Sequence, residues 1–357
     1  MSIKITEPID GAILNRLHGR ETNRGLEILV KGTCPAGARA SLNGQPAAVS
    51  GGEFSAIVQL PQRETTLTAE AAGESDSVIV LYDKNSFKRY RFSLDDNIWF
   101  LRDIARNNYR SIFENPYMAL WKRLYDTYGT KTNCNIYYQC EDFNLTMMPD
   151  RHRGEWADNA HWFRLTFHAL QNEPKEPYIS APYDQVARDY DMVVNEILRF
   201  AGQEVMNTFT TIHWGEATVD GCRAVRDRGI KGLCGYFIFR DGKPKVSYYL
   251  DAAHTEHLSQ RDYWKDTKED LIFIRHAIVC NFRDLGPNKI PAHLQAVAAN
   301  PYQGEVMELM IHEQCFYPNY QAYVPDYADR CEAAVRWCTE NDYKPVFYSD
   351  GFIGNPG

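Results

Sequence analysis

No stretch of the sequence approaches the roughly 18 consecutive apolar residues that a membrane-spanning helix needs, so a membrane partner is not expected. Positive charge is also scarce: Lys and Arg number 39 against 47 Asp and Glu, a formal net charge of −8. Proteins that grip nucleic-acid phosphates are usually basic, so no nucleic-acid partner is expected either. The nine cysteines contain no CxxC pair, and the tightest spacings are Cys134 with Cys140 and Cys331 with Cys338. They are too sparse, and odd in number, for a disulfide scaffold; reduced, mostly buried thiols are expected. There is no GxGxxG or Walker loop to cradle a phosphate and no GxSxG elbow to expose a serine. Met1 to Pro8 carry no apolar signal core, which leads to the expectation of a cytoplasmic protein.

What remains is a chain of 357 residues, 44% hydrophobic and 24% charged, which is ordinary globular usage and sets disorder and coiled coil aside. The length allows one barrel or more than one domain. The texture changes near residue 84. Before it, apolar and polar residues alternate over 26–32, 54–60, 65–71 and 77–82, and 40–46 runs into an Asn43-Gly44 turn. Short strands with Gly and Pro turns predict a small all-β sandwich over 1–84. From 85 to 357 strands alternate with helices. Strands are expected at 90–94, 132–138, 162–167, 208–212, 232–237, 270–275, 305–311 and 345–348. Helices are expected at 116–125, 184–202, 218–228 and 327–341, with Gly129 and Gly229 as stops. Alternating βα units predict an α/β fold with a closed parallel sheet, a (β/α) barrel.

Barrel chemistry sits at the carboxyl ends of strands. Three expected strands run straight into a histidine: Leu165-Thr166-Phe167-His168, Phe209-Thr210-Thr211-Ile212-His213 and Leu309-Met310-Ile311-His312. One such histidine is ordinary structure; three, with Asp95-Asp96 at a fourth strand end, point to a shared site. Adjacent carboxylates allow one to bind a metal while the other takes a proton from water. Imidazole and carboxylate together suit zinc and other borderline divalent ions. Taken alone, Asp96 fits a helix N-cap before 97–101 equally well. Trp214, Glu216, Tyr249, His276 and Glu313 are further candidates for contacts to substrate, the aromatics by stacking on a sugar ring. His254-Thr255-Glu256-His257 reads as a loop over the barrel mouth, and Cys315 has no triad context for a nucleophile.

Phe92-Ser93-Leu94-Asp95-Asp96 resembles the opening motif of the polysaccharide deacetylases, the NodB-homology family. Glu308-Leu309-Met310-Ile311-His312 is similar to that family's apolar strand ending in a histidine, and the order of elements between them also fits, over about residues 90–350. Pro8-Ile9-Asp10-Gly11-Ala12, Gly37-Ala38-Arg39 and Asn43-Gly44 resemble bacterial Ig-like modules. The resemblance implies a distorted (β/α) barrel of the deacetylase type behind an Ig-like sandwich. It implies Asp95 as base, Asp96 and His168 as metal ligands and His312 as acid.

Two motifs depart from the family. A second metal histidine is expected four residues after His168, where Asn172 stands, and the Arg-Pro-rich third motif is replaced by Ile212-His213-Trp214-Gly215-Glu216. By position, His213 or else Glu216 would supply the missing ligand. The expectation is therefore a metal-dependent hydrolase that removes N- or O-acyl groups from a sugar or oligosaccharide. The metal would be zinc, with cobalt, nickel or manganese as alternatives, and self-association is left open. The rivals are a glycoside hydrolase pairing Asp95 with Glu216 or Glu313, whose carboxylates would lie about 5–9 Å apart, and a non-catalytic sugar-binding barrel.

Overall fold

A computed structural model describes residues 2–357. The chain forms two compact units, one gathering residues up to Phe87 with Tyr263–Ile272 and Asn355–Gly357, the other Lys88–Asp262 with Phe273–Gly354. The first unit carries two sheets of five short strands, almost all antiparallel. Alternation decides which face is covered. In Gly25–Thr33, Leu26, Ile28 and Val30 are buried, whereas Leu29 and Lys31 face water. Leu42, Leu67, Ala69 and Val80 join them in one apolar core. Asn43 and Gly44 both have positive φ (48° and 74°), the geometry a two-residue hairpin of matching twist requires. The segment Tyr263–Ile272 belongs to this unit through polar anchors. Trp264 Nε1 donates to the Asp10 carbonyl (2.7 Å), and Tyr263 Oη donates to Asp83 (3.1 Å).

The second unit is a mixed α/β structure around a nearly closed parallel sheet. Its strands are β1 (Arg89–Asn97), β2 (Thr132–Tyr137), β3 (Phe163–Ala169), β4 (Phe209–Thr210), β5 (Gly232–Gly235), β6 (Leu271–Val279, in this unit from Phe273 onward) and β7 (Val306–His312). They lie in the order β3-β2-β1-β7-β6-β5-β4. Leu165 N–H donates to the Val205 carbonyl (2.8 Å) and Asn207 N–H to the Leu165 carbonyl (3.2 Å), so β3 meets the segment that leads into β4. β1 is buried along its whole length, as a strand paired and covered on both sides must be. Helix α1 (Trp99–Arg106) follows β1. Helix α2 (Pro116–Tyr128) starts with Pro at its first turn and Asn115 capping the Met118 N–H (3.0 Å). It stops at Gly129, whose φ of 69° is the left-handed cap that glycine adopts without strain.

The structure departs from the sequence pattern at several places, of which four bear on the site or its surroundings. The strand expected at 208–212 is only Phe209–Thr210, after which the chain tightens into a 3₁₀ turn at His213–Gly215. The strand expected at 345–348 is only Lys344–Pro345, paired with the start of β1. β6 runs on to Val279, so His276 lies within a strand rather than at its end. Residues 254–257 are not a loop but part of the helix Ala252–Ser259, whose first turn Asp251 caps through the His254 N–H (2.9 Å). Among the described residues no helix is long and apolar enough to cross a membrane.

Parallel register stacks inward-facing residues in layers. Arg91 faces Glu308, Ser93 faces Met310 and Asp95 faces His312 across β1 and β7. The lowest layer is a fully buried ion pair of Arg91 with Glu308, and the guanidinium lies 4.6 Å from the Tyr348 ring centre. Above it runs a buried amide chain. Asn207 Nδ2 donates to Asn133 Oδ1 (2.6 Å), Asn133 Nδ2 to Asn135 Oδ1 (2.8 Å), and Thr210 Oγ1 to the same Asn135 oxygen (3.0 Å). Barrels of this kind usually fill their interior with branched apolar side chains; here polar groups that satisfy one another do so.

Candidate metal centre and active site

At the carboxyl ends of the strands the polar layers open into a cavity of about 430 Å³. That lies within the usual range for small-molecule sites, about 300–1,000 Å³. Asp95, Asp96, His168, His213, His276 and His312 all line it. Successive strand residues normally face opposite sides, yet Asp95 and Asp96 both reach the cavity. Asp96 has a φ of 62°, and the register of β1 against β2 slips between Leu94 and Asn97. This left-handed residue brings the second aspartate to the same cavity as the first. Aspartate tolerates that conformation better than most residues. Ile98, not Asp96, holds the N-cap position of α1, so the capping alternative does not apply.

Asp96, His168 and His213 are buried and each offers a ligand atom within 4.8 Å of the others. Asp96 Oδ1 is 3.1 Å from His168 Nε2 and 3.3 Å from His213 Nδ1, and the two imidazole nitrogens are 3.2 Å apart. The opposite nitrogens are already engaged by the backbone. His168 Nδ1 lies 2.5 Å from the Thr211 carbonyl, and His213 Nε2 lies 3.1 Å from the Asn172 carbonyl. Each carbonyl accepts an N–H, so the inner nitrogen of each ring is the one that can present a lone pair to a cation once the cation displaces its proton. This is the outer-shell device that fixes metal-binding histidines. Tyr137 Oη sits 2.8 Å from His213 Nδ1 and hydrogen-bonds Asp96 Oδ1. Burial and the Asp96 carboxylate push its phenol well above the ordinary range, so it remains a neutral donor.

The electrostatics favour positive charge at this point. Burial pushes the Asp96 carboxyl up, but hydrogen bonds from His168 and His213, with His312 nearby, hold it well below the usual carboxylate range. Burial lowers His168, and Asp96 and Asp95 outweigh burial and raise it. One carboxylate and two imidazoles with oriented lone pairs fit a borderline divalent cation.

Asp95 and His312 stand beside this group on neighbouring strands, paired in register. Asp95 Oδ1 accepts from Asn135 Nδ2 (2.5 Å) and Ser93 Oγ (3.2 Å). His312 Nδ1 lies 2.9 Å from Asn281 Oδ1, which accepts its N–H and fixes the ring. Trp214 is 40% exposed at the cavity lining, in a left-handed backbone conformation (φ 65°, ψ −1°) that only surrounding structure maintains.

Three expected contact residues are not in the cavity. The Glu216 carboxylate accepts the Val246 N–H (2.7 Å), and burial raises its pKa. The Tyr249 ring packs edge-on against Phe273, with centres 5.8 Å apart. Glu313 is fully buried and accepts from the N–H groups of Ile98, Trp99 and Phe100 (2.6, 3.0 and 2.6 Å), satisfying the free donors at the start of α1. Its place beside His312 in sequence suggested a common site, but adjacent residues here diverge. Sequence reasoning missed Tyr137, Asn135 and Asn281. The alternation Asn133, Asn135, Tyr137 along β2 was a readable signal for the first two; Asn281, beyond the end of β6, gave none.

No protein-family model matches the chain, and no curated protein matches it. Solved structures show distant likeness. One is a chimeric titin Z1Z2 tandem carrying a fibronectin-derived peptide (7% identity, 26% of this chain, 57% of that one, TM-score 0.17). A second is Agd3, a novel carbohydrate deacetylase (10% identity, 92% of this chain, 66% of that one, TM-score 0.40). A third is a maltogenic amylase from S. marinus (9% identity, 94% of this chain, 70% of that one, TM-score 0.27). The chain thus spans less than two thirds of the first two. At such scores the residues themselves must carry the functional argument.

Proposed function

We propose that the larger unit is a barrel of the polysaccharide deacetylase type that hydrolyses N- or O-acyl groups on a sugar or oligosaccharide with a bound divalent cation. The smaller unit is an Ig-like sandwich in this reading. The observation that carries it is the convergence of Asp96 Oδ1, His168 Nε2 and His213 Nδ1, with both outer imidazole nitrogens committed to backbone carbonyls. These three residues would hold the cation, zinc by preference, with cobalt, nickel or manganese as substitutes. When bound, such an ion supplies Lewis-acid polarisation of the acyl oxygen and acidifies water. The remaining steps belong to the chain. Asp95, held by Asn135 and Ser93, accepts a proton as water adds to the acyl carbon. His312, fixed by Asn281, gives a proton to the departing nitrogen or oxygen as its bond to the acyl carbon breaks. Trp214 offers a stacking face at the mouth.

A glycosidase on Asp95 with Glu216 or Glu313 has less support, because both glutamates are committed elsewhere. The decisive test compares Asp95→Asn with Asp96→Asn, reading metal content by elemental mass spectrometry and acetate release from N- and O-acetylated oligosaccharides. Asp95→Asn should keep about one equivalent of metal and lose turnover by roughly two orders of magnitude or more; Asp96→Asn should lose both. Full turnover under complete chelation would refute the proposal.

A further inference from the structure

One strand of the barrel breaks its alternation. The register of β6 against β7 slips between His276 and Ile278, so Ala277 is an extra residue in the ladder. With the slip, Val279 rather than Ile278 faces Met310, and both His276 and Val279 line the cavity. Bulges beside active sites re-aim side chains in this way. His276 pairs in register with Glu308, two inward positions below His312, and so lies toward the cavity floor. It is 1% exposed, and neither Nδ1 nor Nε2 has a hydrogen-bond partner among the described residues. His168, His213 and His312, which share the cavity, all have partners. Buried polar atoms without partners are rare and call for a reason.

Burial lowers the His276 pKa to about 4, which keeps the ring neutral. A neutral imidazole presents one N–H donor and one lone-pair acceptor. That pair complements a hydroxyl or an amide and offers little to a carboxylate or an ammonium group. We infer that His276 is a specificity-determining residue at the cavity floor, binding an uncharged hydroxyl or amide of the sugar through its ring nitrogens. This rests on the deacetylase reading and names the group that reading must accommodate.

The test uses His276→Phe and His276→Gln in the full chain, with tri-N-acetylchitotriose and an acetylated xylo-oligosaccharide as probes. Acetate release, metal content and melting temperature are measured together. His276→Phe should raise KM roughly tenfold, the worth of about one hydrogen bond, with metal content unchanged. Its melting temperature should equal or exceed that of wild type, because two unpaired nitrogens are removed. His276→Gln, which keeps a donor and an acceptor, should recover part of the KM. A structural histidine behaves differently: Phe lowers the melting temperature, Gln restores it, and KM follows; that result overturns the inference. If Phe does not fold, His276→Leu carries the same comparison. Acetate release with KM unchanged in the apolar variant overturns the subsite and leaves the deacetylase reading standing. No acetate release from wild type on any probe overturns that reading and the subsite with it.

Discussion

Exchanging one atom at Asn135 tests how the proposed base, Asp95, is held. Asn135 is fully buried, and its Nδ2 donates to Asp95 Oδ1 and to Ser93 Oγ, while its Oδ1 accepts from Asn133 and Thr210. Asn135→Asp keeps the shape and both acceptor contacts but sets a second carboxylate oxygen about 2.5 Å from Asp95 Oδ1. Two carboxylates so close cannot both ionise, so the pair retains a proton to higher pH, by roughly 2 units or more. At about 1.4 kcal/mol per unit this costs about 3 kcal/mol of stability at neutral pH. The sign follows from linkage. The pair's folded-state pKa is raised, so stability is intact below the unfolded carboxylate value, about 4, and is lost as pH rises through the raised one. The acid limb of the kcat/KM profile should move up by the same roughly 2 units. Metal content should not change, since Asp96, His168 and His213 are untouched. Denaturant melts from pH 4 to 9 and pH–rate profiles measure both effects. A stability difference from wild type that is flat with pH, with a superimposable rate profile, would refute the argument that residue 135 is coupled to Asp95 through this contact.

Two further outcomes are expected. Burial pushes Glu313 up to about 7, so wild-type stability should fall by about 3 kcal/mol as pH rises from 4.5 through 7. Glu313→Gln, which cannot ionise, should flatten that part of the curve in denaturation while leaving metal content intact. Trp214→Gly should shift stability by no more than about 1 kcal/mol, because relief of the left-handed strain offsets the flexibility of glycine. The same variant should raise KM for oligosaccharides several-fold with little change in kcat; a loss of more than about 3 kcal/mol would show that the indole packs as core.

The βα rhythm after residue 85 was legible because long amphipathic helices and short, buried strands have distinct periods. The convergence of His168, His213 and His312 was legible for a related reason: parallel strands bring their carboxyl ends to one rim, so a residue type that recurs there is recognised without contacts. What the period could not convey is where it breaks. The left-handed turn at Asp96, the extra residue at Ala277 and the early end of β4 at Thr210 each re-aim one side chain, and nothing in local composition announces them. Glu313 illustrates the other failure. A carboxylate next to His312 looks like its partner, yet three free N–H groups at the start of α1, more than two hundred residues earlier, claim it.

The two carbonyls that receive the outer histidine N–H groups come from Thr211 and Asn172, and every residue has a carbonyl. Mutagenesis would therefore see this centre incompletely. A saturation scan should mark 168 and 213 as intolerant and should register at 172 only the loss of the contact between Asn172 Oδ1 and Tyr137 Oη (3.3 Å), although the carbonyl of that position belongs to the same assembly. Only proline, which restrains the backbone, or a change in loop length would expose it.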